Sequence, residues 1–491
     1  MKIRKVLVLA ALVMMVLPMQ VRAQQPSLDT LMGHIRELSS SRHEGRLAGT
    51  DGYFSAAEYV TECLARYGVQ PYGEGWEQYF RIETNEIENC TFQTYVNAND
   101  TKTVYVLGKD FCCAGMTGRG YADAPVVFCG YGIDAPSYNE YAKVDAQGKV
   151  VMVLSGTPSY VPSTIADQYA SVRDKARAAL RHGACALVVV NMNPSCPANE
   201  VQGSVFSGEL PHMPTFPIIQ PHRNCAQRLL AGEKMGLDTV VARMNQTMEP
   251  QSFHLKKHFE IEVNAKYHPE SLTTNIVGVL PGTDKSMSKE YVVVAAHLDG
   301  LGMQGRTCLF PGADDNATGV AALLETARLL NYVDEAPARS IVFVLLSGSE
   351  TCQLGADIFV SNFRPLKNIE ALVDIESIGA GDSILVLGNK RFPYLWDVAR
   401  SMDKRFTHMM AVDTKTLPRG DAWPFYKVGI PSIVITNMGG GRRWHLPSDI
   451  SENVDRKFLQ KAAKLSFETV YELSLGDYQG RSADSRKVFF E

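Results

Sequence analysis

From Thr273 onward, short apolar runs alternate with amphipathic segments. The apolar runs are rich in β-branched residues and end in turns: "TNIVGVLPG", "YVVVAAH", "SIVFVLLSG", "ALVDIES", "SILVLG" and "IPSIVIT". Helical patterns lie between several of them: "TGVAALLETARLL", "FPYLWDVARSM" and "FLQKAAKLSFETVYELS". Near-continuous apolar strands that alternate with helices predict an α/β fold, with a mostly parallel sheet covered on both faces.

The N-terminal half has a different pattern. Two amphipathic helical patterns, "SLDTLMGHIRELSS" and "YFSAAEYVTECLARYGV", flank the Gly-rich turn "HEGRLAGTDG". From about residue 120, short β-branched runs follow one another, with one helix among them: "APVVFCGYGI", "GKVVMVLSG", "YASVRDKARAALRHGA" and "CALVVVN". This stretch predicts a compact β-rich module. It has no cluster of acids and histidines, so we interpret it as a non-catalytic insert.

The first residues indicate export. Lys2, Arg4 and Lys5 precede an apolar run from 6 to 19, and Val21-Arg22-Ala23 has the form of a cleavage site. This is the pattern of a secretory signal, and the run is shorter than the ~20 residues that a membrane span needs. We expect export to the periplasm, the cell surface or the medium, and no membrane span in the mature chain.

These patterns divide the chain into five parts. We predict a signal peptide at 1–23, an N-terminal part of the main domain at 24–115 and an insert at 116–250. The main part of the domain follows at 251–478, and a loose tail at 479–491. With 491 residues, of which 45% are hydrophobic and 21% charged, the chain is globular and long enough for two or more domains. A net charge of −4 lacks the basic surplus of a nucleic-acid-binding protein.

Side chains of metal-ligand type follow several of the apolar runs. In a parallel sheet a functional site forms at the carboxyl ends of the strands, and five candidates fall there: His297, Asp315, Glu350, Asp374 and His445. Nitrogen and oxygen ligands suit Zn²⁺. Five ligands are too many for one tetrahedral catalytic site, but they suit two ions that share a bridging carboxylate and together activate one water.

Each candidate also has a purely structural interpretation. Asp314, Asp315 and Asn316 can cap the helix that follows them, and a single His or Asp after a strand is usually a loop residue. The recurrence of such residues at one edge of the inferred sheet favours the metal site. The ten cysteines form no paired C-x-x-C units, which argues against a cysteine zinc site; we hypothesise a disulfide between Cys308 and Cys352.

The motifs together resemble the co-catalytic di-zinc aminopeptidases, the group of bacterial leucyl aminopeptidase, aminopeptidase Y and glutamate carboxypeptidase II. The resemblance rests on "HLD", "PGADDNATG", "SGSE" with "QLGA", "VD", "RGDAWPFYKVGIPSI" and "WHLPSD", in the family's order. The inserted module resembles a protease-associated (PA) domain. The resemblance implies a three-layer αβα zinc-peptidase fold, with a mixed, mostly parallel sheet and a β-rich insert, and an enzyme that removes N-terminal residues from peptides.

The resemblance also implies roles for individual residues. Asp315 corresponds to the bridging carboxylate, chosen over Asp314 because it lies four residues before Gly319 in "DNATG". His297 and Asp374 would complete one zinc site, and Glu350 and His445 would complete the other. Asp299 corresponds to the acid that orients His297.

One position departs from the family pattern. The family has two consecutive glutamates, a general base followed by a metal ligand, and here the first of them is Ser349. A hydroxyl does not titrate near neutral pH, and a positioned general base is worth about 10²–10⁴-fold in rate, or roughly 3–5.5 kcal/mol of barrier. Glu376 is a candidate substitute base, because residues two apart on a strand face the same side.

Three functions therefore stay open at this point. The first is an exported di-zinc aminopeptidase that uses Glu376 or another base. The second is a pseudopeptidase that binds zinc and peptides with little or no turnover, and Ser349 supports it. The third is a transferase similar to glutaminyl cyclase, although those enzymes also have an acid where Ser349 stands. A peptide or a peptide-like molecule is the expected substrate in each case, and the oligomeric state is left open.

Overall fold

The structure is a computed structural model that describes residues 25–192, 212–351, 353–412, 415–441 and 443–478. The predicted signal peptide and tail lie outside the described residues, and so does Cys352. The α-helices are α1 (Leu28–Leu38), α2 (Asp51–Arg66), α3 (Ser163–Ala166), α4 (Val172–Arg181), α5 (Arg223–Leu230), α6 (Leu237–Thr247), α7 (Thr318–Leu329), α8 (Leu354–Asn362), α9 (Pro393–Met402), α10 (Ala422–Lys427) and α11 (Arg456–Ser474).

The strands follow in the same chain order. They are β1 (Gln70–Pro71), β2 (Glu77–Tyr95), β3 (Thr103–Tyr105), β4 (Phe111–Cys113), β5 (Gly120–Phe128), β6 (Asp134–Ala135), β7 (Tyr138–Asn139), β8 (Val150–Leu154), β9 (Ala186–Val190), β10 (Ile218–Pro221), β11 (Phe253–Leu280), β12 (Tyr291–His297), β13 (Met303–Gln304), β14 (Cys308–Leu309), β15 (Ser340–Leu346), β16 (Ile369–Ile375), β17 (Ser383–Leu387) and β18 (Ser432–Met438).

One mixed sheet runs through the described part of the chain. Its strand order is β17-β18-β16-β12-β15-β11-β5-β8-β9-β10-β4. The group β18, β16, β12 and β15 is parallel, and so is the group β5, β8, β9 and β10. Strand β11 pairs antiparallel with both groups and joins them. The predicted α/β fold with a mixed, mostly parallel sheet is confirmed.

The two faces of the sheet are covered by different helices. On β12, Val292 and Val294 pack in a core that includes residues of α1, α2, α7 and α11. Their neighbours Val293 and Ala295 point the other way, into a core shared with α8 and α10. Alternate residues of a strand face opposite sides, so this strand is buried on both faces and the three-layer arrangement follows directly. The inserted module has a core of its own, built on β5, β8, β9 and β10.

Strands β2 and β11 are a feature that the sequence patterns did not predict. Strand β11 has 28 residues and pairs along most of its length with the 19 residues of β2. Its first half alternates between buried and exposed positions, with Phe259, Ile261 and Val263 buried, as a half-buried strand should. Near its end, residues 273–278 are all buried. One strand therefore contributes to both the insert and the main domain.

The topology brings the predicted ligand positions to one edge. The parallel strands β12, β15, β16 and β18 end at His297, Leu346, Ile375 and Met438. His297 is the last residue of β12, Asp374 lies one residue before the end of β16, and Asp315, Glu350 and His445 lie in segments that follow strands. Among the described residues, none of the helices has the length and hydrophobicity needed to cross a bilayer.

Candidate metal centre and active site

Asp315 lies between two histidines. Its Oδ1 is 3.3 Å from Nε2 of His297, and its Oδ2 is 3.2 Å from Nε2 of His445. The same His445 nitrogen is 3.2 Å from Oε2 of Glu350. Asp315, Glu350 and His445 each offer a ligand atom within 4.8 Å of the others. A carboxylate whose two oxygens face two different imidazoles has the form of a bridging ligand.

The backbone and the carboxylate of Asp315 are both held by hydrogen bonds. Residues Ala313–Ala317 form a π-helical turn directly before α7. The carboxylate of Asp449 accepts the N–H groups of Asp314 and Asp315, at 2.8 and 3.1 Å. Ser377 Oγ donates to Oδ1 of Asp315 at 3.0 Å. These bonds hold the Asp315 carboxylate in one orientation, toward the histidines.

Asp314 points elsewhere. Its Oδ2 accepts a hydrogen bond from Nε1 of Trp444 at 2.9 Å, and its Oδ1 accepts one from the backbone N–H of Gly379 at 2.6 Å. Both oxygens are therefore occupied by protein donors. Of the two adjacent aspartates, it is Asp315 that faces the histidines.

The charges in this cluster depend on one another. Burial by itself would raise the pKa of Asp315, but the hydrogen bonds from His297 and His445 outweigh it and hold that pKa well below its ordinary value. Burial would likewise lower the pKa of His445, yet the neighbouring Glu350 and Asp315 carboxylates hold it well above 6.5. Positive charge is strongly favoured at the centre of the cluster, whether protons or a cation supply it.

Asp374 is the predicted ligand with the most unusual environment. It is fully buried, and neither carboxylate oxygen receives a hydrogen bond from a donor among the described residues. Burial, and then the nearby Glu376 and Asp421, raise its pKa well above the ordinary value. A buried carboxylate without a donor is costly unless a cation or a proton compensates it. Asp374 is close enough to His297 to interact with its charge, but it is outside the group formed by Asp315, Glu350 and His445.

Asp299 holds the loop that carries Glu350. Its Oδ1 and Oδ2 accept the backbone N–H groups of Ser349 and Glu350, both at 3.2 Å. The resemblance predicted that the Asp299 carboxylate would orient His297. The nearer contact of His297 Nδ1 is the Asp299 backbone carbonyl, at 3.1 Å, and the carboxylate is 3.8 Å away. Asp299 therefore positions both the imidazole and the turn after β15.

Ser349 makes a short hydrogen bond to an acid that the sequence analysis missed. Its Oγ donates to Oδ2 of Asp421 at 2.6 Å. Asp421 is 1% exposed, and its Oδ1 has no hydrogen-bond partner within the described part of the chain. Burial raises the pKa of Asp421 to about 7. The motif "RGDAWPFYKVGIPSI" contained this residue, but nothing in the pattern connected it with Ser349.

Glu376, the predicted substitute base, lies in the same acidic group. Its Oε1 is 3.4 Å from the backbone N–H of Asp421, and its side chain contacts the carboxylate of Asp374. Burial raises the pKa of Glu376 above its ordinary value. The structure thus places the buried Asp421 directly beside the position where the family has its base, and the partly buried Glu376 lies next to Asp421.

Arg46 is a second residue that the sequence analysis did not single out. It is 1% exposed and donates hydrogen bonds to four backbone carbonyls, those of Leu38, Leu298, Pro311 and Gly312. Two of these carbonyls adjoin the segments that carry His297 and Asp315. Its "EGR" tripeptide belongs to the Gly-rich turn noted in the sequence, which gave no sign that the arginine would be buried.

The hypothesis of a disulfide between Cys308 and Cys352 cannot be followed to its second partner, which lies outside the described residues. Cys308 is buried in a small cluster with Cys112 and Phe310, and its thiol is close to that of Cys112. It forms no disulfide with any other cysteine among the described residues.

Two family models match the chain. Residues 275–470 match the model of peptidase family M28, and residues 122–224 match the model of the PA domain. The aminopeptidase YwaD of Bacillus subtilis is 25% identical over 366 residues, which are 70% of this chain and 67% of that protein. A probable leucine aminopeptidase of Trichophyton verrucosum is 26% identical over 209 residues, 41% of this chain and 57% of that protein. The chain thus spans only about half to two thirds of these relatives.

Solved structures show the same fold. BSAP, described as a zinc aminopeptidase from Bacillus subtilis, superposes with a TM-score of 0.63 at 19% identity, over 94% of this chain and 98% of that one. An aminopeptidase from Aneurinibacillus sp. strain AM-1 gives a TM-score of 0.62 at 17% identity, over 91% and 94%. At these identities the likeness establishes the architecture alone.

Proposed function

Because residues 275–470 match peptidase family M28 and residues 122–224 match the PA domain, we propose that the chain is a metal-dependent hydrolase of this family that removes N-terminal residues from peptides. These two matches confirm the resemblance seen in the sequence. The observation that carries the proposal is the Asp315 carboxylate, held between His297 and His445 with Glu350 in the same group. This is the donor set of a catalytic zinc site and has no need of cysteine.

We propose that the described donors would hold two zinc ions, with Asp315 contributing to both. His297 and Asp374 would hold one ion, and Glu350 and His445 would hold the other. The buried carboxylate of Asp374 has no hydrogen-bond donor among the described residues. This supports the assignment because a cation at that place would compensate its charge. Zinc supplies Lewis acidity: it polarises a carbonyl and lowers the pKa of a water molecule.

Ser349 and Asp421 supply a route for the proton in place of the missing glutamate. The attacking water loses a proton as its oxygen bonds to the scissile carbonyl carbon. Ser349 Oγ takes that proton while its own hydroxyl proton moves along the 2.6 Å hydrogen bond to Oδ2 of Asp421. When the C–N bond breaks, the same path returns the proton to the leaving amine. Oδ1 of Asp421 has no hydrogen-bond partner in the part of the chain that the structure describes, so this carboxylate can change its charge without losing another bond there.

One observation favours a second candidate function, a peptide-binding protein without turnover. Position 349 has no carboxylate, and a relay through a serine needs two proton transfers where the family uses one. In that case the protein would still bind zinc and peptides, because the metal and substrate contacts do not depend on position 349.

The test of the proposed function is metal-dependent hydrolysis. Protein stripped with a chelator and then reloaded with zinc is assayed on a panel of aminoacyl and dipeptide substrates that includes N-terminal glutamine, so that cyclisation would also be seen. We expect release of the N-terminal residue to disappear on stripping, to return with zinc and to be abolished by Glu350→Gln. Zinc binding by calorimetry without any release would instead support the peptide-binding protein.

We also propose that the mature protein works outside the cytoplasm, on the basis of the signal pattern in residues 1–23. Cell fractionation of an expressed full-length chain tests this. Recovery of uncleaved protein in the cytoplasm would contradict it.

A further inference from the structure

A pocket rich in positive charge lies beside the Ser349–Asp421 pair. Its volume is about 480 Å³, and its wall includes Gln353, Lys390, Lys415, Arg419 and Trp423. We call it the basic pocket. None of the described residues that line it is acidic. Since the whole chain carries a net charge of −4, three cations around one cavity are a local feature and not a reflection of the overall charge.

The basic pocket shares its wall with the candidate active site. The backbone N–H of Gln353 donates to the carbonyl of Ser349 at 3.3 Å. Gly420, also in the wall, directly precedes Asp421 and lies so close to Glu376 that an added Cβ would be 2.4 Å from its Oε1. The basic pocket therefore adjoins the loop that carries Ser349 and the segment that carries Asp421.

The wall is held in place before any ligand binds. The backbone N–H of Lys390 donates to the carbonyl of Thr416 at 3.0 Å, and the N–H of Thr416 donates to Oδ1 of Asn389 at 2.9 Å. These bonds fix the segment 415–420 against the end of β17. Trp423 packs on Tyr426, with 4.9 Å between ring centroids, while 40% of it stays exposed. A pocket whose walls are already ordered loses little conformational entropy when a ligand binds.

We propose that the basic pocket binds a carboxylate of the peptide substrate and gives the enzyme a preference for acidic substrates. Lys390 and Arg419 supply the charge, and Trp423 supplies an apolar surface for the carbon chain. An arginine can bind a carboxylate through two parallel hydrogen bonds, and a lysine acts as a point charge. This inference rests on the proposed function, because it concerns the substrate of the same site. The carboxylate can belong to an acidic side chain or to the C-terminus of a short peptide.

The experiment compares matched pairs of substrates that differ only in charge. One arm measures kcat/KM on glutamyl and glutaminyl substrates. The other arm measures it on dipeptides and their C-terminal amides. An exposed ion pair is worth roughly two- to fivefold in binding, so two pairs predict an acid-to-amide ratio of about tenfold. This ratio should fall at an ionic strength of about 1 M, where the Debye length is about 3 Å. If the ratio of about tenfold is seen with the glutamyl and glutaminyl pair, the carboxylate belongs to an acidic side chain. If it is seen with the dipeptides and their amides, the carboxylate is the C-terminus.

The double variant Lys390→Gln with Arg419→Gln should bring the acid-to-amide ratio to within about twofold of one. Lys427→Gln is the matched control: Lys427 is an exposed lysine on α10 that pairs with Asp357 at 3.1 Å, away from the basic pocket. It should leave the ratio unchanged. A wild-type ratio near one in both arms, or a ratio that survives the double variant, overturns the proposal.

The failure of the proposed function would be visible separately. If no substrate is turned over by the zinc-loaded wild type, binding of the same peptides is measured by calorimetry. Tighter binding of the acidic member of a pair, lost in the double variant, supports the basic pocket in a protein that only binds. Equal binding of both members overturns it.

Discussion

Replacing Asp421 with asparagine isolates the carboxylate that receives the Ser349 proton. The side chain keeps its size, and the amide oxygen can still accept the hydrogen bond that spans 2.6 Å between Ser349 Oγ and Asp421 Oδ2. What Asp421→Asn removes is the ability to take up a proton. The burial that raises the pKa of Asp421 to about 7 makes the wild-type carboxylate a suitable acceptor near neutral pH.

The expected loss follows from the value of a general base. If Asp421 is the final acceptor, kcat should fall by about 10²–10⁴, which is roughly 3–5.5 kcal/mol of barrier. KM should change little, because Asp421 is buried and does not line the basic pocket. The free energy of unfolding of Asp421→Asn should equal or exceed that of the wild type, because the variant removes a buried acid that lies beside Asp374 and Glu376. A fall in activity with unchanged stability separates a chemical role from misfolding.

The assay is steady-state hydrolysis by zinc-loaded protein, with two variants measured in parallel. Asp397→Asn removes an exposed acid on α9 and should keep the wild-type rate. Glu376→Gln tests the base that the sequence analysis suggested. If Asp421→Asn stays within about twofold of the wild type, the relay through Ser349 is wrong. If kcat falls by 10² or more in Glu376→Gln instead, Glu376 is the proton acceptor.

Three further predictions concern the metal and the stability of the fold. Asp374→Asn should stabilise the metal-free protein toward denaturant, because it removes a buried carboxylate that has no donor among the described residues. The same variant should bind zinc more weakly in calorimetry, and equal or stronger binding would argue against Asp374 as a ligand. Arg46→Met should lower the free energy of unfolding by about 3 kcal/mol or more, since four buried carbonyls lose their donor; a loss below about 1 kcal/mol would contradict this. Burial lowers the pKa of His34 to about 4, below the value of 6.5 in the unfolded chain. Between these two values the folded protein binds fewer protons than the unfolded chain. Its free energy of unfolding therefore falls by about 3 kcal/mol as the pH falls from 6.5 to 4. His34→Phe should flatten that part of the stability curve, and an unchanged slope would show that other groups cause it.

The sequence patterns predicted the layers of the fold and the edge where the candidate ligands meet. The physical reason is that buried parallel strands appear as continuous apolar runs, and that their carboxyl ends must lie together in the sheet. His297, Glu350 and Asp374 could therefore be assigned to one edge before any coordinates were known. Their roles as ligands stay predictions until a metal is measured.

Asp421 and Arg46 could not be predicted in the same way. Asp421 contacts Ser349 across 72 positions of the chain, and an aspartate before a short helix has the same local pattern whether it caps the helix or faces a site. Arg46 is bound by backbone carbonyls from three separate segments of the chain, at Leu38, Leu298 and Pro311–Gly312. The long strands β2 and β11 were also missed, because polar residues and register shifts interrupt their alternation, as at Asn264 and His268. Periodicity reports the local environment of a residue and not its partners across the fold.

The most direct test of the central claim is kcat/KM for the zinc-loaded wild type and its Ser349→Glu variant on the same aminoacyl substrates. If Ser349 and Asp421 already supply the proton path, the wild type hydrolyses these substrates at a substantial rate, and the added glutamate changes that rate by less than about tenfold. A nearly inactive wild type that gains 10² or more from the glutamate would contradict the claim, and would identify the natural protein as a peptide-binding member of an enzyme family.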